Sequence, residues 1–266
     1  MYQFCPGTTP LLISMPHSGV ALPSEHSAGF TDHARELADT DWHLSRLYEF
    51  AGDLGANILR ADVSRYIIDL NRPPDNAELY PGANSTTLCP VTNFAEQPLY
   101  HSGAQPTEEE VKRRLQQYWQ PYHQQIRQQL DTIRETHGIA VLFDAHSIRS
   151  RVPRLFDGQL PDFNLGSAGG SSAAASLLDV AKQSLRRHPG YSTVANQRFK
   201  GGYITRCYGE PAAGIHALQL ELCQHLYMIE TPPFDYCEQS AGKLQPVLRQ
   251  LLIDIMAWAQ QEAHRS

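Results

Sequence analysis

Short apolar runs that end in polar residues are the clearest pattern along the chain. Leu11–Met15 is followed by PHSG at residues 16–19, and the segment GIAVLFDAHS at residues 138–147 ends in DAHS. Apolar runs of this length predict buried strands. Because ligands of open α/β sheets bind beyond the carboxyl ends of the strands, we expect both polar ends to meet at one rim of a sheet.

Other parts of the chain continue this alternation of strand and helix patterns. Further strands are predicted at residues 56–61, 66–70, 193–196, 203–206 and 217–222, and helices at about residues 40–51, 107–137, 173–187 and 242–264. Pro121 should kink or divide the second of these helices. Strands that alternate with helices indicate an α/β fold whose mixed or mostly parallel sheet is covered on both faces.

Two long segments, residues 71–105 and 149–172, lack such a pattern and are rich in Gly and Pro. A segment of more than about 15 residues without regular structure inside a compact domain is usually functional, so we predict a functional loop at residues 71–105. No repeat, linker or low-complexity tail interrupts the chain. Residues 1–266 are therefore expected to form a single domain.

Composition and charge exclude several classes of protein. Hydrophobic residues make up 41% of the chain and the mean hydropathy is −0.40. There is no apolar run of transmembrane length and no signal-peptide pattern, so we expect a cytoplasmic protein. A net charge of −6 provides no long-range attraction to nucleic acid or to a membrane. The five scattered cysteines form no CxxC motif, which argues against a thiolate metal site. The oligomeric state stays open.

The two strand ends suggest a metal site. A catalytic zinc ion usually has three protein ligands from His, Asp or Glu, and His17 and His146 would supply two of them. The third ligand stays open at this point among Glu25, Asp39, Asp41, His43 and Asp144. Asp41 stands at a predicted helix start, where an aspartate can equally stabilise the helix by capping it and by interacting with its dipole.

Glu221 is the candidate for a general base. It lies near the end of the apolar strand in LQLELCQ, and a glutamate buried there is costly unless it is paired or functional. A proton acceptor of this kind is what amide hydrolysis by water needs. However, Gln219 and Glu221 alternate with leucines, which is also typical of an outward-facing strand edge. Periodicity alone leaves both interpretations open.

Basic residues concentrate in predicted loops and at strand ends. They are Arg65, Arg72, Arg149, Arg151, Arg154, Arg198, Lys200 and Arg206. Arginine forks bind carboxylates in bidentate fashion. Some of these side chains are expected to pair with structural aspartates, and two or three to contact a ligand. An acidic chain with clustered loop arginines predicts a small anion with one or more carboxylates as its partner.

Several longer segments together resemble the N-formylglutamate amidohydrolase family, over nearly the whole chain. They are SMPHSG (14–19), DTDWH (39–43), SRYIIDLNRPP (64–74), YWQPYH (118–123), DAHSIRSRVPRLFDGQLPDFNLG (144–166), RFKGGYITRCYG (198–209) and HALQLELCQHLYM (216–228). The resemblance places the chain among zinc carboxypeptidase-like and aspartoacylase-like hydrolases. It implies a three-layer α/β/α sandwich with a mixed, mostly parallel sheet. It also implies hydrolysis of N-formyl-L-glutamate to formate and L-glutamate, a step of bacterial histidine degradation.

The resemblance also implies roles for individual residues. His17 and His146 match the two histidine ligands of a Zn²⁺ ion, and Asp41 is chosen as the carboxylate ligand. The chain departs from the compact HxxE pattern of the carboxypeptidases, because Val20 stands three residues after His17. Another divalent transition metal, such as iron or cobalt, could use the same ligands.

The remaining roles concern the substrate. Asn71 and Arg72 match the Asn-Arg pair that holds a substrate carboxylate in those relatives, and Glu221 matches their general base. For a second carboxylate of a small dicarboxylate substrate, the candidates are Arg65, Arg149 and Arg206.

Two alternative functions stay open on the sequence. One is a deacylase or carboxypeptidase for a different N-acyl amino acid on the same scaffold. The other is a carboxylate-binding protein without catalytic activity. The first would differ in substrate preference, and the second would bind ligand without turnover.

Overall fold

A single sheet of seven strands forms the centre of the computed structural model, which describes residues 1–79 and 86–265. The strands are β1 (Tyr2–Cys5), β2 (Leu11–Met15), β3 (Asn57–Ala61), β4 (Ala140–Ile148), β5 (Phe163–Gly166), β6 (Thr193–Ala195) and β7 (Ile215–Cys223), in the spatial order β1-β3-β2-β4-β7-β5-β6. Four neighbouring pairs are parallel, whereas β1 with β3 and β5 with β7 are antiparallel. The predicted mixed, mostly parallel sheet is therefore confirmed.

The helices cover both faces of this sheet. They are α1 (Ser24–Ser27), α2 (Asp32–Arg35), α3 (Leu44–Leu47), α4 (Glu108–Arg114), α5 (Gln120–His137), α6 (Ala175–Arg186), α7 (Tyr203–Tyr208) and α8 (Glu238–Ala263). One hydrophobic cluster joins α3, α6 and α8 to one face, and a second joins α5 and α7 to the other. Every residue of β2, β4 and β7 is buried, as expected for parallel strands between two helical layers. This is the expected three-layer α/β/α sandwich.

Three element predictions were wrong, and each error lies near the rim of the sheet. Residues 66–70 form turns rather than a strand, with local bonds such as Ile67 N–H to the Ser64 carbonyl at 2.9 Å. Residues 203–206 belong to helix α7 despite their aromatic and β-branched content. The predicted helix at residues 40–51 is reduced to α3 and a short 3₁₀ turn at Glu49–Ala51.

The sequence pattern also missed two short strands, β1 and β5, which lie toward the sheet margins. Pro121 lies in the first turn of α5, which a π-helical turn at Leu115–Trp119 joins to α4 with helical backbone on both sides. The structure thus shows a local irregularity before Pro121 rather than two separate helices, and a kink at Pro121 stays a prediction. The N–H of Gln120 donates to the Leu115 carbonyl in the wider π-helical pattern.

The predicted functional loop at residues 71–105 is irregular over 71–79 and 86–105, with turns, bends and isolated bridges. Its part at residues 80–85 lies outside the described residues. Among the helices of the described chain, none combines the length and apolarity that crossing a bilayer requires.

Candidate metal centre and substrate cavity

Four adjacent parallel strands bring the candidate residues to one rim. His17 lies two residues beyond the end of β2, and His146 lies near the end of the neighbouring β4. The register of β4 and β7 pairs His146 with Glu221. The segment after β3 adds residues 65–72. Because all these strands run in the same direction, their carboxyl ends share one edge, as the sequence pattern predicted.

His17, Asp41 and His146 converge at this rim. Each offers one ligand atom, and these atoms lie within 4.8 Å of one another. Asp41 Oδ2 is 3.1 Å from His146 Nδ1 and 3.9 Å from His17 Nδ1. The backbone N–H of Asp41 donates to the His17 carbonyl at 3.0 Å, which ties the two loops together.

Asp41 does not serve as a helix cap. Helix α3 begins at Leu44, and its N-cap position is held by His43 in a left-handed conformation without a side-chain cap bond. The other candidates for the third ligand do not face the Nδ1 atoms of the two histidines. Glu25 is exposed, and His43 Nε2 bonds the Phe234 carbonyl. Asp39 accepts a hydrogen bond from Phe94 N–H. Asp144 contacts His146 from behind.

A carboxylate stands behind each histidine. His17 Nε2 is 2.7 Å from Asp69 Oδ1, and His146 Nε2 is 3.1 Å from Asp144 Oδ2. In this arrangement the Nδ1 atoms of both rings face Asp41. Histidines that bind a metal commonly give their other ring N–H to a carboxylate, which fixes the ring and makes the metal-facing nitrogen more basic. The donor set thus fits a divalent transition metal.

The charge balance of the cluster gives the same indication. Five carboxyl groups are buried here, whereas among the described residues Arg65 is the one comparably buried guanidinium that contacts them. They belong to Asp39, Asp41, Asp69, Asp144 and Glu221. Buried charge is costly unless it is compensated, and a divalent cation would compensate part of the excess.

The pKa shifts follow from this surplus of carboxylates. Burial alone would lower the pKa of His146, but Asp144 and Asp41 outweigh it and raise that pKa well above the ordinary value. The pKa of His17 is lowered, chiefly by burial and then by Arg65. Burial would raise the pKa of Asp69, yet His17 and Arg65 hold it well below its usual range. The carboxylates of Asp41 and Asp144 therefore favour a positive charge at the position of His146.

Glu221 lies beside this group and has the properties of an available base. Its side chain is buried, and among the described residues it has no hydrogen-bond partner. Burial raises its pKa to about 8, and the nearby His146 opposes the rise. The alternative of an outward-facing strand position is wrong, because both faces of β7 are covered and Glu221 lines a cavity.

The cavity opens over His17, His146 and Glu221. Its polar side includes Arg65, Arg72, Asn71, Gln219 and Arg198, and its apolar side includes Phe94, Ile148, Leu155 and Phe199. Arg65 also donates to Asp69 Oδ2 at 2.8 Å. Arg72 Nε donates to the Thr86 carbonyl at 2.9 Å. A mixed lining with guanidinium groups suits a small ligand that carries carboxylates.

The predicted substrate contacts divide into two groups. Arg65, Arg72 and Asn71 line the cavity, although Asn71 also bonds protein at both ends of its carboxamide. Arg149 and Arg206 are not among the lining residues. Arg149 is 3.4 Å from Asp39 Oδ1, and Arg206 Nε donates to the Gly201 carbonyl at 2.9 Å.

Sequence reasoning missed three contributions. Asp69 was expected only as a structural partner of arginine, and Asp144 as such a partner or as a candidate metal ligand, whereas each contacts the Nε2 atom of one histidine. Gln219 was regarded only as part of the leucine alternation. Arg198 was grouped with the loop arginines but was not singled out. For Asp69, the signal was its place in DLNR, immediately before Asn71 and Arg72.

An α/β sheet with a buried His–Asp–His group and a glutamate at its rim indicates an enzyme with a candidate metal centre. A match to a family model identifies the family. The family model described as "FGase: N-formylglutamate amidohydrolase" matches residues 9–228. The chain therefore belongs to the N-formylglutamate amidohydrolase family and is an amidohydrolase.

Similar proteins agree with this assignment. An N-formylglutamate deformylase of Pseudomonas putida is 52% identical over 263 residues, which cover 99% of this chain and 98% of the relative. One from Pseudomonas aeruginosa is 49% identical, with 97% of each chain covered. The crystal structure of an N-formylglutamate amidohydrolase from Ralstonia eutropha has a TM-score of 0.82 at 26% identity, covering 99% of this chain and 98% of the other. A crystal structure from Agrobacterium tumefaciens, at 17% identity and a TM-score of 0.70 over 96% of this chain and 95% of its own, shares the fold.

Proposed function

We propose that this chain hydrolyses N-formyl-L-glutamate to formate and L-glutamate in a metal-dependent reaction. The observation that carries the proposal is the buried His17–Asp41–His146 group next to Glu221, whose side chain has no hydrogen-bond partner among the described residues. His17, His146 and Glu221 line one cavity together with Arg65, Arg72 and Arg198. The names of the relatives supply the substrate. The cavity supplies the chemistry that a dicarboxylate with a small acyl group would require.

The proposed metal ligands are His17 Nδ1, Asp41 and His146 Nδ1. Zinc is our choice because two imidazoles and one carboxylate are a usual catalytic zinc set, although iron or cobalt could use the same atoms. When bound, such an ion supplies Lewis-acid polarisation of the amide and promotes ionisation of the attacking water. Asp69 and Asp144 keep the two imidazole rings in position from behind.

Glu221 is the proposed general base. It accepts a proton from the attacking water and passes it to the leaving nitrogen, which departs as the amino group of glutamate. Its carboxylate is suited to this because no protein hydrogen bond among the described residues holds it in place. A bound cation would lower the pKa of Glu221 from its raised value and keep it in the basic form at neutral pH.

The carboxylates of the substrate are proposed to meet Arg72, Arg65 and Asn71 at the cavity wall. Arg72 is anchored through Thr86, where its Nη2 donates to Thr86 Oγ1 at 2.9 Å. Arg65 is fixed by Asp69 and lies over the ring of Phe94, 5.0 Å from its centroid. Arg149 and Arg206 do not line the cavity, so a contact of either with the second carboxylate stays a prediction.

Formate release is the experiment that tests the proposal. Protein purified without chelator should release formate from N-formyl-L-glutamate, lose this activity on chelation and regain it with Zn²⁺. Bound metal is measured on the same samples. Activity that persists in protein shown to contain no metal would contradict the metal-dependent mechanism.

Substrate choice needs its own comparison. Rates with N-acetyl-L-glutamate, N-acetyl-L-aspartate and a dipeptide should fall well below the rate with N-formyl-L-glutamate. If protein with a full complement of metal preferred one of these, the site would stand and the substrate would change. Binding of N-formyl-L-glutamate without turnover would favour the non-catalytic alternative.

A further inference from the structure

We propose that Gln219 is a substrate-binding residue whose side-chain NH₂ group donates to a carboxylate of the acyl amino acid. The inference rests on the proposed function and adds a neutral donor to its arginine contacts. The observation behind it is a carboxamide at the cavity wall that is fixed at its oxygen and has no acceptor for its nitrogen within residues 1–79 and 86–265.

The orientation of this carboxamide is set by a backbone donor. The N–H of Gly202 donates to Gln219 Oε1 at 2.7 Å. A backbone N–H can only donate, so it distinguishes the oxygen of the amide from the nitrogen. Nε2 must therefore occupy the other side of the carboxamide.

The same chain segment fixes Asn71 in the same way, which makes an informative comparison. Ile204 N–H donates to Asn71 Oδ1 at 2.8 Å, and Asn71 Nδ2 then lies 2.9 Å from His146 Nε2 and 3.3 Å from Asp144 Oδ2. When His146 Nε2–H points to Asp144, the acceptor for this NH₂ group is Asp144 Oδ2, so the group is used within the protein. Gln219 Nε2 has no such acceptor among the described residues, although the side chain is buried.

The loop that fixes both amides can approach them only because of a glycine. A Cβ atom on Gly202 would lie 2.4 Å from Asn71 Nδ2, which no real side chain permits. The sequence GGYIT thus brings two backbone N–H groups to two carboxamides. A donor held in place before the ligand arrives loses little entropy on binding, which favours a role in recognition.

The position along β7 indicates which part of the ligand is contacted. Gln219 and Glu221 lie on the same side of the strand, about 7 Å apart along it. Glu221 is proposed to serve the scissile amide, so Gln219 is placed to meet a group several bonds away. In an N-formyl dicarboxylic amino acid that group is a carboxylate, whose oxygens accept hydrogen bonds from an NH₂ group at the cavity wall.

Two variants separate donation from the structural role. Gln219→Glu keeps an oxygen for Gly202 N–H but replaces the NH₂ group with a further carboxyl oxygen. Gln219→Met keeps the length and removes both functions. Gln224→Met is the matched control, since Gln224 is also a buried glutamine near the rim but donates to the Thr40 carbonyl at 2.9 Å and does not line the cavity.

The test measures kcat/KM for three substrates: N-formyl-L-glutamate, N-formyl-L-norvaline, which lacks the side-chain carboxylate, and 4-formamidobutanoate, which lacks the α-carboxylate. With N-formyl-L-glutamate, both Gln219 variants should lose about 10- to 100-fold, mainly through KM, as expected for a lost hydrogen bond to a charged group. With the truncated substrate that lacks the contacted carboxylate, the loss should be under about 3-fold. The Gln224 control should change all three substrates by one common factor.

An equal loss on all three substrates in the Gln219 variants would overturn the inference. Calorimetric titration with glutarate distinguishes failure of the Gln219 contact from failure of the proposed function. If wild-type protein binds glutarate but does not hydrolyse N-formyl-L-glutamate, weaker glutarate binding by both Gln219 variants would still support the contact. Wild-type protein that binds neither compound would contradict the contact and the proposed function together.

Discussion

Two clusters in this molecule each place a buried imidazole against a carboxylate but differ in how their polar groups are satisfied. The first is the site cluster of His17, Asp41, His146, Asp69 and Asp144, in which Arg65 bonds Asp69. The second, here called the α4 cluster, comprises buried His26 and Arg114, half-buried Glu110 and exposed Gln117. The site cluster thus has three carboxylates and the α4 cluster has one.

The α4 cluster is satisfied by the protein itself. His26 Nδ1 is 2.6 Å from Glu110 Oε1, and Arg114 Nε donates to the same oxygen at 2.8 Å. Arg114 Nη1 also donates to the Ile67 carbonyl at 2.8 Å. Burial would raise the pKa of Glu110, but hydrogen bonds from Arg114 and His26 outweigh it and lower that pKa.

The site cluster has more carboxylates than basic groups. The Nδ1 atoms of its two histidines both face Asp41 Oδ2, which leaves the three atoms arranged as possible ligands of one ion. It also lines a cavity, which the α4 cluster does not. Buried charged residues by themselves therefore do not indicate a functional site. Buried charge that the protein leaves uncompensated beside a cavity does indicate one, because such charge costs free energy unless a ligand or ion binds there.

The largest expected effect comes from the metal ligands. His17→Ala or His146→Ala should lose metal and activity together, because two protein ligands hold a catalytic ion poorly. His26→Gln is the matched control and should keep its metal content. Elemental analysis of the purified variants measures this, and full metal content in either alanine variant would refute its assignment as a ligand.

Next in size is the proposed base. Glu221→Gln should lower kcat by about 10²- to 10⁴-fold with metal content and ligand binding retained, because only the proton acceptor is removed. Glu110→Gln in the α4 cluster should leave kcat close to the wild-type value. Steady-state kinetics with metal analysis tests the pair, and an active Glu221→Gln enzyme would remove Glu221 as the base.

Arg72→Ala should chiefly raise KM for N-formyl-L-glutamate, by about 10- to 100-fold, since it removes a charged contact made in both ground and transition states. Arg149→Ala and Arg206→Ala should change KM less, because neither side chain lines the cavity. An unchanged KM in Arg72→Ala would make Arg72 structural.

Arg114→Met should reduce stability by about 2 kcal/mol without changing metal content or kcat, because its hydrogen bonds hold loops together away from the cavity. Denaturant unfolding of the metal-loaded protein measures the change. Loss of metal from the folded variant would show that the two clusters are coupled.

The last prediction concerns the pH dependence of stability rather than activity. In metal-free protein, the pKa of Glu221 is raised from 4.5 to about 8, so the folded state holds a proton that the unfolded state releases, and its contribution to stability falls as pH rises across that range. Glu221→Gln should therefore gain stability relative to wild type, by up to about 1.4 kcal/mol per pH unit.

Glu110 should show the opposite behaviour. Its pKa is lowered, so its stabilising contribution is present above its ordinary value of 4.5 and is lost as pH falls through the folded value. Unfolding curves of chelator-treated variants between pH 4 and 8 compare the two. Parallel pH profiles for Glu110→Gln and Glu221→Gln would contradict the distinction between the clusters.

Much of the fold could be predicted from periodicity, and the errors have a common cause. The strands β2 and β4 and the long helices follow local patterns that burial between two layers reinforces. Residues 66–70 and 203–206 have strand-like composition, but their backbone bonds are made in turns and in α7. Their apolar side chains could be buried in either conformation, so local propensity did not decide between them. The single-domain organisation over residues 1–266 stays a prediction.

Local patterns along the chain predicted two histidines at the ends of buried strands, Glu221 in a third strand and arginines in the segments around them. Only the folded chain shows which of the five candidates faces the Nδ1 atoms of both histidines, which arginines line the cavity, and where Asp69, Asp144 and Gln219 lie. Periodicity reports which side chains are buried because burial acts on each element separately. Contacts between loops depend on strand order and register, and these bring Asp41 to His146 across 105 positions of sequence.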